Sequence, residues 1–191
     1  MLLNQIAVLL TALAASTSAQ GFTVPEGTTD GDYSVSYDAS GNASFLKLRD
    51  VEPLTKRQEG LIAMPRRHLA ARTDRIGCGD RNNELNHSDT DKANDSLDAK
   101  CNGDRGAYVP AGTDFFAKHG STVAFFCNWG GGNGCDAGTR RRTSGQITNQ
   151  CGWYKAGWVE GVENKISYGY DWATARFCGR DHSGTEYPGK M

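Results

Sequence analysis

Residues 121–129 read Ser-Thr-Val-Ala-Phe-Phe-Cys-Asn-Trp. Val123, Phe125 and Cys127 alternate with Ala124, Phe126 and Asn128. Both faces of such a strand are largely apolar, as in the interior of a sheet. Downstream, Lys165–Trp172 sets Ile166, Tyr168, Tyr170 and Trp172 on one side against Ser167, Gly169 and Asp171 on the other. That alternation predicts a half-buried strand. Upstream the period changes. Ser88 with Asp91 fits a capping box, Ala93, Leu97 and Cys101 form one helical stripe, and Asn102-Gly103 supplies a left-handed stop. A second helix is expected between Ser144 and Trp158, where Ile147, Cys151, Tyr154 and Trp158 share a face. Gly152 and Gly157 oppose it by about 1 kcal/mol each. The pattern as a whole predicts a small, disulfide-stabilised α+β single domain with two helices and an antiparallel sheet.

All six cysteines lie late, at Cys78, Cys101, Cys127, Cys135, Cys151 and Cys178. An even number in an exported chain reads as a disulfide framework, with 15 possible connectivities. Structural zinc needs short knuckles, and the closest pair, Cys127 and Cys135, is too widely spaced. Export itself is read from residues 1–19. The apolar stretch Ile6–Ala15 is too short to span a bilayer, and Thr17 and Ala19 occupy the −3 and −1 places of a signal-peptidase site. The expectation is a secreted, extracellular protein with no membrane anchor.

Residues 20–57 contain no cysteine and read as a pro-segment. Tyr33, Val35 and Tyr37, then Phe45 and Leu46, flank Ser40-Gly41-Asn42 as a candidate hairpin, which is marginal in isolation. Lys56-Arg57 closes the segment as a dibasic site for kexin- or furin-type processing. Residues 58–77 form a basic linker with Arg66, Arg67 and His68, and residues 78–191 are the six-cysteine α+β domain.

With 21 Lys and Arg against 22 Asp and Glu, the chain is near neutral, so no nucleic-acid partner is expected. No nucleophile elbow, zinc-protease motif or phosphate loop occurs, and no catalytic set is assigned. His87, near Glu84, Asp89 and Asp91, and His119 are the weak catalytic candidates of a nuclease-type hydrolase reading. Asp89, Asp91 and Asp95 are spaced like calcium ligands, but Ala93 and Asn94 fall where an EF-hand needs an oxygen ligand and Gly. No metal or cofactor is expected.

Arg140, Arg141 and Arg142 read as a basic loop tip, and with Trp129 they are the binding candidates. Loops 128–134 and 136–146 would present them rigidly. Trp153, Tyr154 and Trp158 add aromatics suited to sugar stacking or an interface hot spot. Asn42, Asn86 and Asn94 are glycosylation sequons.

Leader, cysteine-free segment, Lys56-Arg57 and six-cysteine domain together resemble the small secreted cysteine-rich, effector-like proteins of filamentous fungi. Cys78-Gly79-Asp80, Cys151-Gly152-Trp153, Ala156-Gly157-Trp158-Val159 and Phe177-Cys178-Gly179 carry the resemblance over residues 78–179. It implies a host- or competitor-directed secreted factor, usually without catalytic residues. The expectation is a monomeric virulence factor that binds a host or cell-wall component, promoting colonisation or eliciting a response. A cell-wall carbohydrate-binding protein and a small hydrolase are the alternatives.

Overall fold

The computed structural model describes residues 21–38, 42–48, 74–80 and 82–179. The leader, Ser40-Gly41, Lys56-Arg57, His68 and His182 lie outside them. In chain order the strands are β1 (Phe22–Thr23), β2 (Gly31–Tyr37), β3 (Ala43–Lys47) and β4 (Asp74–Cys78). Helix α1 (His87–Lys100) and a 3₁₀ turn (Gly103–Arg105) follow. Next come β5 (Ala107–Val109), β6 (Thr113–His119), β7 (Thr122–Asn128), β8 (Asn133–Cys135) and α2 (Ala137–Cys151). The chain closes with β9 (Gly157–Gly161), β10 (Ile166–Trp172) and β11 (Arg176–Phe177).

Seven strands form one antiparallel sheet in the order β3-β2-β6-β7-β10-β9-β4. The fold is α+β. β7 is central and every residue in it is buried, as its two apolar faces require. One face, built from Phe115, Ala117, Ala124, Phe126, Val159, Tyr168 and Tyr170, packs under Ala93 and Leu97 of α1 and Ile147 of α2. The other face carries Tyr33, Val35, Phe116, Val123 and Phe125, covered by Phe22 and Phe177 of the small β1–β11 ribbon.

The cysteines pair as Cys78–Cys151, Cys101–Cys135 and Cys127–Cys178. The first ties edge strand β4 to the end of α2, and the second ties the end of α1 to β8. The third ties central β7 to the segment after β11, on the opposite face. Bridges closing loops of this size stabilise by about 2–4 kcal/mol each.

Several expectations shift. The candidate hairpin exists, with Val35 opposite Phe45, yet it is no separate piece. Its strand β2 pairs with β6 from Gly31↔Lys118 to Ser36↔Thr113, extending the main sheet. Strand β4 begins at Asp74, inside the stretch read as linker. Helix α1 starts two residues earlier than the capping box suggests. Asn86 is the N-cap, its side chain accepting from the Asp89 N–H at 3.0 Å. Helix α2 begins at Ala137 rather than Ser144, capped by Asp136, and stops at Cys151. Tyr154 and Trp158 therefore lie beyond it. Gly152 at φ 109° and Tyr154 at φ 50° turn the chain out of the helix.

Candidate functional site

The first turn of α1 and the loop following α2 meet at one corner. The buried side chain of Leu85 anchors the approach to α1, and its N–H donates to the Tyr154 carbonyl at 2.9 Å. On the other side of that loop, the Gly79 N–H donates to the Ala156 carbonyl at 2.8 Å, and Cys151 is bridged to Cys78. Residues 152–156 are thus held at both ends.

On this frame the His87 ring stacks on Tyr154, centroids 3.7 Å apart and planes 13° from parallel. The Tyr154 hydroxyl donates to Asp91, 3.2 Å from each carboxylate oxygen. Desolvation, reinforced by the Asp91 charge and hydrogen bond, pushes that phenol's pKa up. It stays a neutral donor. Glu84 lies 3.6 Å from both His87 Nε2 and Lys155 Nζ. Beside this stack Trp153 is 74 % exposed, its ring 6.4 Å from that of Tyr154. The corner offers one open indole face, a supported ring stack and two carboxylates. It can stack on a flat or CH-rich group while accepting hydrogen bonds at the rim.

Acid–base work is a different matter. His87 and Glu84 are each more than half exposed at the side chain, so water competes for any proton they would pass. His119 closes β6, opposite Thr122, and its neighbour Asp30 is held below its ordinary pKa chiefly by the hydrogen bond from Lys118. The two histidines serve different surroundings. Asp89 and Asp91 also diverge: Asp89 accepts from the Ser121 N–H and hydroxyl, whereas Asp91 faces Tyr154. Among the described residues no group of three or more His, Cys, Asp or Glu is placed to hold a metal ion. Among them, too, no helix is long and apolar enough to cross a membrane.

The arginine run is not a loop tip. Arg140 is buried in the first turns of α2 and makes a forked pair with Asp98 of α1, Nε at 2.7 Å and an outer nitrogen at 2.5 Å. Arg141 reaches Asp98 at 3.2 Å and also Asp104. Arg142 is exposed and donates to the Thr139 hydroxyl at 3.1 Å. The first two therefore lock the helices together. Trp129 is half-buried against the aromatic face of the sheet, with its N–H bonded to the Lys165 carbonyl. Span 136–146 is mostly helix, and 133–135 is strand β8.

Of the aromatics singled out, Tyr168 and Tyr170 are core, and Trp158 covers Gly77, where any Cβ would collide with the indole. Trp153 alone of these projects. A helix running to Trp158 would carry Tyr154 away from His87; the chain instead leaves the helix at Gly152, which lets the two rings stack. The six cysteines are brought together in pairs as expected, without their pairing having been legible. Asn42 and Asn86 are exposed, whereas Asn94 is buried on α1. Comparison of the chain with models of protein families, with curated proteins and with solved structures returned no match.

Proposed function

We propose that this chain is a secreted, effector-like protein that acts outside the producing cell by binding a host or competitor component through the Trp153–Tyr154–His87 corner. The observation that carries this reading is Trp153. A large indole left 74 % exposed, in a loop held by a disulfide and two backbone hydrogen bonds, is what a pre-organised binding hot spot requires. The leader, the cysteine framework and the dibasic pair support export and maturation. Pre-ordering lowers the entropy lost on association, and bridges suit a protease-rich extracellular space.

The carbohydrate-binding reading has its own support in the same corner. The open ring lies beside Tyr154, whose hydroxyl meets Asp91 and whose stacked partner His87 meets Glu84; rings beside carboxylates are the combination that sugar C–H faces and hydroxyls match. The test is infiltration of the purified, disulfide-intact protein into host tissue, beside reduced and alkylated protein. Retention on insoluble cell-wall polysaccharides and turnover of RNA and glycans are measured in parallel. Response or retention from intact protein alone, without turnover, is the expected result. Degradation of RNA or glycan at catalytic rates contradicts the binding reading and replaces it with the hydrolase.

A further inference from the structure

Residues 21–48 carry no cysteine, and the first cysteine of the chain is Cys78. Apart from the backbone running on through residues 49–73, everything joining this segment to the remainder is non-covalent. The attachment is nevertheless extensive. Strand β2 covers the edge of β6 from Thr113 to Lys118 over six register pairs, and β1 pairs with β11 through Phe22↔Phe177 and Thr23↔Arg176. Tyr33 stacks on Phe116, and Phe22 packs on Phe116 and Phe177. Val35 is fully buried. Polar ties run to β6, to the turn after it and to α1: Asp30 to Lys118 at 2.8 Å, Asp30 to the Gly120 N–H at 3.1 Å, and Ser96 of α1 to Asp32 at 2.5 Å.

We propose that the β6 edge and the aromatic face beside it are a strand-docking surface whose lasting occupant is the chain's own 21–48 segment. A break anywhere within residues 49–73, at Lys56-Arg57 included, then yields a two-chain protein. The N-terminal piece stays seated as an added strand and is not shed as a pro-piece. The argument is one of what departure would uncover. Loss of the segment bares the β6 backbone ladder, an edge that invites pairing with other chains, and uncovers Phe116 and Phe177, on which Tyr33 and Phe22 pack, as an apolar patch. It also leaves Lys118 without its Asp30 partner. An edge strand whose main chain pairs while alternate side chains fill an apolar face is how peptides are held by strand addition. Here that peptide is built into the precursor. Processing would therefore change the number of chains and leave the folded core as it was.

The test uses the full secreted chain with its disulfides intact, cut by a kexin-type protease. A variant with the recognition sequence of a sequence-specific protease in place of residues 54–57 supplies the same break where the kexin cut is incomplete. Gel filtration and native mass spectrometry follow, at micromolar protein. The expected species is a one-to-one complex of the two pieces, giving two N-terminal sequences in equal yield. It separates under denaturing, non-reducing conditions, and a chain carrying Lys56→Ala, Arg57→Ala, Arg66→Ala and Arg67→Ala stays single under kexin. A remainder that elutes alone, folded and monomeric, overturns the proposal, as does aggregation on cutting.

Discussion

Tyr33 and Phe116 stack across the β2–β6 pair with centroids 4.7 Å apart and planes 7° from parallel. The contact joins the cysteine-free N-terminal part to the disulfide-bridged part. The Tyr33 hydroxyl also donates to the Thr29 carbonyl at 2.7 Å, so the phenol is satisfied though 97 % of the residue is removed from water. Tyr33→Ala should lower stability by about 3 kcal/mol through the cavity it leaves. Tyr33→Phe should lose only about 1 kcal/mol, from the hydroxyl's bonds to the Thr29 carbonyl and hydroxyl. Urea unfolding with intact disulfides checks both, and a Tyr33→Ala chain as stable as wild type would mean the N-terminal strands are peripheral.

Arg140 and Arg142 are two residues apart yet should differ sharply. Arg140→Ala leaves the part-buried Asp98 with only the exposed Arg141 for company, a loss of about 3 kcal/mol. Arg142→Ala removes one hydrogen bond to Thr139 from an exposed side chain and should stay within about 0.5 kcal/mol. Thermal unfolding of the two variants decides. Equal effects would return the run to a solvated tip.

The contrast shows what the sequence could carry. Strand β7 and the α1 stripe were legible because their periodicity is local: Phe125 with Cys127, Leu97 with Cys101. Helix α2 was misplaced because its first turns read Ala-Gly-Thr-Arg-Arg-Arg, polar and cationic where the helix dipole favours anions. Asp98 of α1 and Asp104 of the 3₁₀ turn answer those charges, neighbours no local window contains. The β2–β6 register, the choice among cysteine pairings and the Tyr154–His87 stack likewise join residues distant in sequence. Asp136 is a local N-cap signal for the start of α2, and Gly152, which weighs against the helix continuing, marks its end.

Asp171 gives the fold a pH dependence. It is buried on β10, its Oδ1 accepting the Trp172 N–H at 2.7 Å. Burial first, and the Asp80 charge as a lesser cause, push its pKa up from 3.8 to about 6. The folded chain thus holds this proton more tightly than the unfolded chain. The contribution is full below the unfolded value and is lost as pH rises through about 6, by about 3 kcal/mol. Asp171→Asn keeps the acceptor without the charge. It should be more stable than wild type at pH 7–8 and gain nothing below the unfolded pKa. Denaturation midpoints across pH 3–8 test this, and identical profiles would contradict it.

Glycosylation should be selective. The Asn86 side-chain oxygen caps α1, and the residue is exposed, which leaves its nitrogen open to a glycan. Asn42 is exposed but donates its amide to Asp38 at 2.9 Å. Asn94 is 9 % exposed against the sheet, with no room for a sugar. Glycopeptide mass spectrometry of protein secreted by a eukaryotic host should find Asn86 occupied and Asn94 bare. An occupied Asn94 in folded protein would contradict its place on α1.

The measurement that bears most directly on the functional reading is a dose–response for Trp153→Ala beside wild type, both infiltrated into host tissue and assayed for retention there. Trp153 is so exposed that its removal should leave thermal stability within about 0.5 kcal/mol. A binding hot spot should weaken by at least about 2 kcal/mol, roughly thirtyfold in the dose required. That loss, at unchanged stability, is the predicted result. A Trp153→Ala protein that folds as wild type does and acts at the same dose would contradict the assignment of binding to this corner.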